Sequence, residues 1–174
     1  MSYAYPTKQY ALDVLRSDPC YDKIEHSQDE KLVDMAWKVG KDAAHEIKAR
    51  LNKTVIEAAS IFGLTIERKN IDRVIGDTRY YCELITDKKK IIIYSLSVKL
   101  WAKRNDLSVE KAERLIIAHE YFHYLEATEL GLTSKRYLVP MMQIGKIKMG
   151  KTGIKALSEI GAYAFSCEFC TEEM

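Results

Sequence analysis

Residues 115–125 read Leu-Ile-Ile-Ala-His-Glu-Tyr-Phe-His-Tyr-Leu, an apolar run broken by one glutamate and two histidines. On an α-helix, His119 and His123 project from one face about 40° apart and one turn along the axis. Two imidazoles so placed can meet one tetrahedral Zn²⁺ at about 2.0–2.1 Å each. Glu120 points to the flank of that face, where it is badly placed as a ligand but well placed to take a proton from a metal-bound water. Two of the chain's four histidines fall within these five residues, which favours a metal site over two packing imidazoles.

Such a site needs a third protein ligand and an open fourth position. No histidine follows His123; the downstream acidic candidates are Glu126, Glu129, Glu159 and Glu168. Glu126 and Glu129 share the histidines' own helix, where a side chain can hardly curl back to complete a tetrahedron. Glu159 starts a fresh helix after a long connection and can approach from another direction. Glu168 lies roughly half a helical circle from Glu159, so the two cannot both face the metal. Glu159 is therefore the expected ligand, against the alternative of a solvated first-turn glutamate satisfying the helix dipole.

Working outward, Ser108 is a good N-cap for the histidine helix, Glu110 suits its first turn, and Gly131 stops it. Upstream, Leu32, Met35, Ala36, Val39, Ala43, Ile47 and Leu51 recur at three and four residues, the pattern of an amphipathic helix. A second helix, Val55 to Phe62, ends at Gly63. Three short strands follow: Leu64 to Glu67, Tyr80 to Thr86, and Ile91 to Tyr94, the last two joined through Asp87–Lys90. Ile91–Tyr94 is apolar at consecutive positions and reads as the inner strand. Tyr80–Thr86 is left at the edge, where Tyr80, Tyr81, Cys82, Glu83 and Leu84 are candidate contacts for an extended substrate. Residues 133–153 are expected to form a long loop, folding over as a lid with Met141, Met142 and Ile144. A final helix spans about Ile154 to Cys170. The expected architecture is a single α+β domain with a small mixed sheet and flanking helices, residues 31–174, preceded by an N-terminal helical extension over residues 1–30 with a short helix through Tyr10, Leu12 and Leu15.

Composition narrows the function classes. Apolar residues make up 47% and charged residues 30%, so a packed globular chain is expected rather than a disordered one. The net charge of +2 gives no global case for nucleic acid or a membrane surface, and no apolar run approaches the roughly 20 residues that cross a bilayer. The chain's start lacks the apolar core of a secretory signal, and four scattered cysteines do not make a disulfide framework, which together point to the cytoplasm. Cys167-x-x-Cys170 reads as two small buried thiols, and His26 and His45 as isolated imidazoles. Tyr137 and Tyr163 lie near the motifs and are candidate donors to an oxyanion.

His119-Glu120-Tyr121-Phe122-His123 followed by Glu159-Ile-Gly-Ala162-Tyr163-Ala-Phe165-Ser166 resembles the ImmA/IrrE family of gluzincin-like metallopeptidases. That family's second motif is a glutamate, then alanine-asparagine, then phenylalanine-alanine at these offsets. The resemblance covers about residues 38–170. It implies a zincin fold and one Zn²⁺ per chain held by His119, His123 and Glu159, with other divalent metals able to occupy the same donors. It implies Glu120 as general base and hydrolysis of a peptide bond in a protein substrate, which in several relatives is a repressor-type regulator. Two features depart from the pattern: Tyr163 stands where the family has asparagine, and residues 133–153 make a longer link. The rival expectation is a metal-binding regulatory module with little or no turnover.

Overall fold

The computed structural model describes residues 7–144 and 147–171. Its first sheet is organised by strand β5, Lys90–Tyr94, whose Ile91, Ile92, Ile93 and Tyr94 are all buried. A strand apolar at successive positions must be covered on both faces. Accordingly β5 is central: β1, Thr65–Lys69, pairs with it in parallel, and β4, Cys82–Ile85, pairs antiparallel on the other side. Among the described residues β4 has no second partner strand, so it is an edge.

The expected strand Tyr80–Thr86 is split. Tyr80 ends β3, Thr78–Tyr80, which forms a separate hairpin with β2, Arg73–Ile75. Tyr81 turns inward against Trp101, with ring centroids 6.2 Å apart. Thr86 opens a 3₁₀ turn whose exit, Lys89, takes a left-handed conformation at φ 48°. The hairpin's anchor is Asp72, which accepts from Arg79 through both oxygens and from the buried Ser97 hydroxyl.

Among the described residues six α-helices surround these strands: α1, Lys8–Arg16; α2, Asp29–Leu51; α3, Val55–Ile61; α4, Ser95–Arg104; α5, Val109–Leu125; and α6, Lys155–Cys170. Local signals fix their starts. Thr54 and Glu57 close a capping box on α3, and Ser108 Oγ accepts from Lys111 N at 3.1 Å on α5. At its far end α5 widens into a π-helical turn, Glu126–Leu130, before Gly131 at φ 73° ends it. None of the described helices is long and apolar enough to cross a membrane.

Residues 133–153 are not an open loop. A 3₁₀ turn, Thr133–Arg136, leads into a hairpin of β6, Leu138–Ile144, and β7, Ile147–Gly153, paired from Leu138↔Gly153 to Ile144↔Ile147. Pro140 and the glycines suggest a breaker-rich segment, yet both fit a two-stranded ribbon. Pro140 needs no second ladder on an isolated hairpin, and Gly150 supplies φ 64° within β7. Gly145 and Lys146 lie outside the described residues. Met141, Met142 and Met149 are exposed, while Val139 is buried.

Two apolar clusters result. The larger lies between the sheet and α2 to α6; the smaller joins Ala11, Leu15 and Ile24 to Leu32, Val33, Ala36, Val139, Ile154, Leu157 and Ile160. Residues ahead of position 31 are thus packed into the same body. Asp18 extends the tie: Oδ2 accepts from Ala156 N at 2.9 Å at the start of α6, and Oδ1 from Cys20 N at 2.8 Å.

α2 and α6 each contribute to both clusters, and the two helices run hard against one another. A Cβ at Gly40 would fall 2.0 Å from Gly161 O and 2.8 Å from Phe165 N. Gly40→Ala would gain roughly 1 kcal/mol of helix propensity. Both obstructing atoms are backbone, however, and cannot swing aside. The overpacking cost of about 1–3 kcal/mol therefore wins. The urea midpoint of Gly40→Ala is expected below wild type; an unchanged or higher midpoint would mean that α2 and α6 do not cross this closely.

Candidate metal centre

α5 carries His119, Glu120 and His123, and α6 brings Glu159 to them from the facing side. His119 is buried and His123 half-buried. Their Nε2 atoms lie 3.1 Å apart, with the rings edge to face at a centroid distance of 4.7 Å. Glu159 closes the triangle: Oε2 is 3.3 Å from His119 Nε2, and Oε1 is 3.4 Å from His123 Nε2. One donor atom from each residue lies within 4.8 Å of the others, and this is the group among the described residues suited to hold a metal ion.

The spacing tests the fit. Ligands bonded at about 2.0–2.1 Å in a tetrahedron stand about 3.3 Å from one another. The three observed separations, 3.1, 3.3 and 3.4 Å, bracket that figure. Two imidazoles and a carboxylate are also the donor set of hydrolytic zinc sites, which keep a fourth position open.

The electrostatics say what holds the donors together without a cation. Burial works against charging His123, yet Glu126 and Glu159 outweigh it and push the imidazole up to about 10. Burial likewise opposes ionisation of Glu159, but hydrogen bonds and charge from both histidines hold its carboxyl well below the usual carboxylate range. The side chain of Glu159 is 44% exposed, so this attraction is partly screened by solvent.

The other acidic candidates are engaged elsewhere. Glu168 pairs with His45 at 2.6 Å and Lys41 at 3.2 Å. Glu129 is exposed beside Arg50. Glu126 faces the Nδ1 side of His123, opposite the nitrogen that faces Glu159.

Glu120 has a partner that the sequence reading did not foresee. The Cys82 thiol, on the edge strand β4, donates to Glu120 Oε1 at 2.8 Å. Burial and the adjacent Glu120 charge push that thiol well up, so it stays protonated and acts as a donor. Cys82, Glu83 and Leu84 do lie together on β4. Tyr80 and Tyr81 do not share that strand, and Tyr81 is buried, which removes its side chain from the exposed edge.

Of the two tyrosine candidates, Tyr163 belongs to the site: its ring centroid is 5.1 Å from that of His119. Tyr137 packs against the smaller apolar cluster instead. Tyr10, on α1, is an addition. Its ring lies 5.9 Å from that of Tyr163, the two hydroxyls share a hydrogen bond, and it is close enough to feel the charge of Glu159. Its position three residues after Thr7 in a short N-terminal helix carries no sequence signal of that role.

Comparison of the chain with protein-family models, with curated proteins and with solved structures found no match.

Metal uptake is expected to depend on pH in one direction. Glu126 and Glu159 push His123 up to about 10, and a cation takes only the neutral imidazole. One proton must therefore leave, and apparent affinity rises about tenfold per pH unit across roughly pH 6 to 8. Competition against a chelator at several pH values, with proton release measured by calorimetry in two buffers, checks this. A pH-independent affinity would show that His123 is neutral before binding.

Proposed function

We propose that the chain is a zinc-dependent metallopeptidase of zincin type, related in kind to the ImmA/IrrE enzymes, that hydrolyses a peptide bond in a protein substrate. The observation that carries this reading is the triangle of His119, His123 and Glu159 at ligand separations, with Glu120 on the same helix beside it. His119, His123 and Glu159 would hold a divalent cation, which when bound would supply Lewis-acid activation of water and of the scissile carbonyl. Glu120 accepts the proton of the attacking water and delivers it to the leaving amine. The thiol of Cys82 steadies the Glu120 carboxylate at one oxygen and leaves the other free for that exchange.

The open edge of β4 supports a protein or peptide as substrate. Its unpaired main-chain groups can take an extended chain as an added strand, with alternate side chains giving selectivity. β4 also carries Cys82, so a strand added there lies alongside Glu120. Tyr163, whose ring lies beside that of His119, is the proposed donor to an oxyanion. A repressor-type regulator is the proposed substrate, and the cytoplasm the proposed compartment, in keeping with four unbridged cysteines.

One observation favours a second reading, a metal-binding module with little turnover: the Cys82 thiol already engages one of the two Glu120 carboxylate oxygens. Substitution at Glu120 separates the two. Glu120→Gln keeps the side chain's size and cannot take a proton. It should retain one metal per chain and cut hydrolysis of a proteome-derived peptide library by about 10²–10⁴-fold. Cleavage by zinc-loaded wild type and its loss in Glu120→Gln, read by mass spectrometry, support the peptidase; equal cleavage by both sinks the mechanism. Absence of cleavage by metal-replete wild type selects the binding module.

A further inference from the structure

We infer that Glu126 is a positioning residue that clamps both metal-bearing elements through a single buried carboxylate. This rests on the metal-binding part of the reading above and goes beyond it, because Glu126 touches no reacting atom.

Glu126 is the residue after α5 and the first of the π-helical turn. It is 3% exposed, and a carboxylate removed from water that far is costly unless its oxygens are satisfied. Here both are. Oε2 lies 3.2 Å from His123 Nδ1. Oε1 accepts from Thr133 N at 2.7 Å and from Ser158 Oγ at 2.9 Å. Ser158 Oγ in turn accepts from Ser134 N at 3.1 Å.

The two ends of this network are what give it a role. At one end, a carboxylate beside Nδ1 requires the proton there and turns the lone pair of Nε2 outward. Nε2 is the His123 atom that faces His119 and Glu159. Metal-bound histidines are commonly held this way, their other nitrogen donating to a carboxylate. At the other end, Ser158 is the residue immediately before Glu159. One side chain therefore fixes the ring orientation of one donor and the backbone position of another, across two helices.

A purely structural role accounts poorly for this choice of residue. A carboxylate at the C-terminal end of a helix opposes the helix dipole, at a cost of about 0.3–1 kcal/mol. A helix end and a 3₁₀ turn could be packed with an apolar side chain without that penalty.

The test measures metal affinity, not catalysis. Zn²⁺ is titrated against a chromophoric chelator for wild type, Glu126→Gln, Glu126→Ala, Ser158→Ala and Glu129→Ala. The absorption spectrum of the Co²⁺-loaded protein is recorded for each, and metal-free melting curves report folding. Glu126→Ala should weaken Zn²⁺ binding about 10–100-fold. Glu126→Gln, which has the size but not the charge, should fall between it and wild type. Ser158→Ala should weaken binding less and shift the Co²⁺ spectrum, and Glu129→Ala should match wild type. Should Glu126→Ala fail to fold, the isosteric Glu126→Gln carries the test. Wild-type affinity and an unaltered Co²⁺ spectrum in Glu126→Gln would overturn the clamp while leaving the metal site standing. A wild-type protein that takes up no Zn²⁺ overturns both.

Discussion

α6 can deliver Glu159 to the two imidazoles only because its backbone runs almost in contact with the helices on either side. Two residues beyond Glu159, Gly161 turns its carbonyl to Gly40 of α2, and a Cβ on Gly161 itself would lie only 2.9 Å from the ring of Phe122 on α5. Helix axes ordinarily keep 8–10 Å apart, and glycine at the crossing permits the close end of that range. Phe122 also sits directly before His123, so the contact that sets the helix spacing is one residue from a metal donor. The reach of a glutamate is fixed, and the donor separations of 3.1–3.4 Å therefore follow from backbone packing as much as from the donors' own attraction.

The donors nevertheless form a self-consistent group without a cation. His123 stands between Glu126 and Glu159, whose charges favour its protonated form against the cost of burial. The two apolar clusters lie on either side of this group.

What the sequence made legible was short-range or strongly patterned. The i, i+4 histidines, the Ser108 cap, the long amphipathic α2 and the isoleucine run of β5 each leave a local mark, and each lies where its pattern places it. Glu159 emerged because the other carboxylates were geometrically poor, and Glu168 and Glu129 form ion pairs away from the histidines. The β6–β7 hairpin escaped because Pro140, Gly150 and Gly153 suggest breaks in a strand. Gly153 in fact answers a tertiary demand, since a Cβ there would lie 2.3 Å from Ser134 O. Cys82 against Glu120, Tyr10 against Tyr163 and Ser158 against Glu126 are contacts across sheet and helix that leave no periodicity in the chain. The edge strand was correctly identified as an edge, but its bounds were too generous, because Tyr80 and Tyr81 carry the same β-propensity as the residues that follow.

The cap that Asp18 places on α6 also orders events in time. Its partner, Ala156, comes 138 residues later, and Glu159 follows three residues after that. On the ribosome the N-terminal segment is made early, and its carboxylate waits for the helix it will cap. A nascent chain that has not yet reached α6 already holds both imidazoles and Glu120 but lacks the third donor, Ser158 and the shared wall of both cores. Assembly of the His119, His123 and Glu159 group therefore waits until α6 has been made, however early the two imidazoles appear.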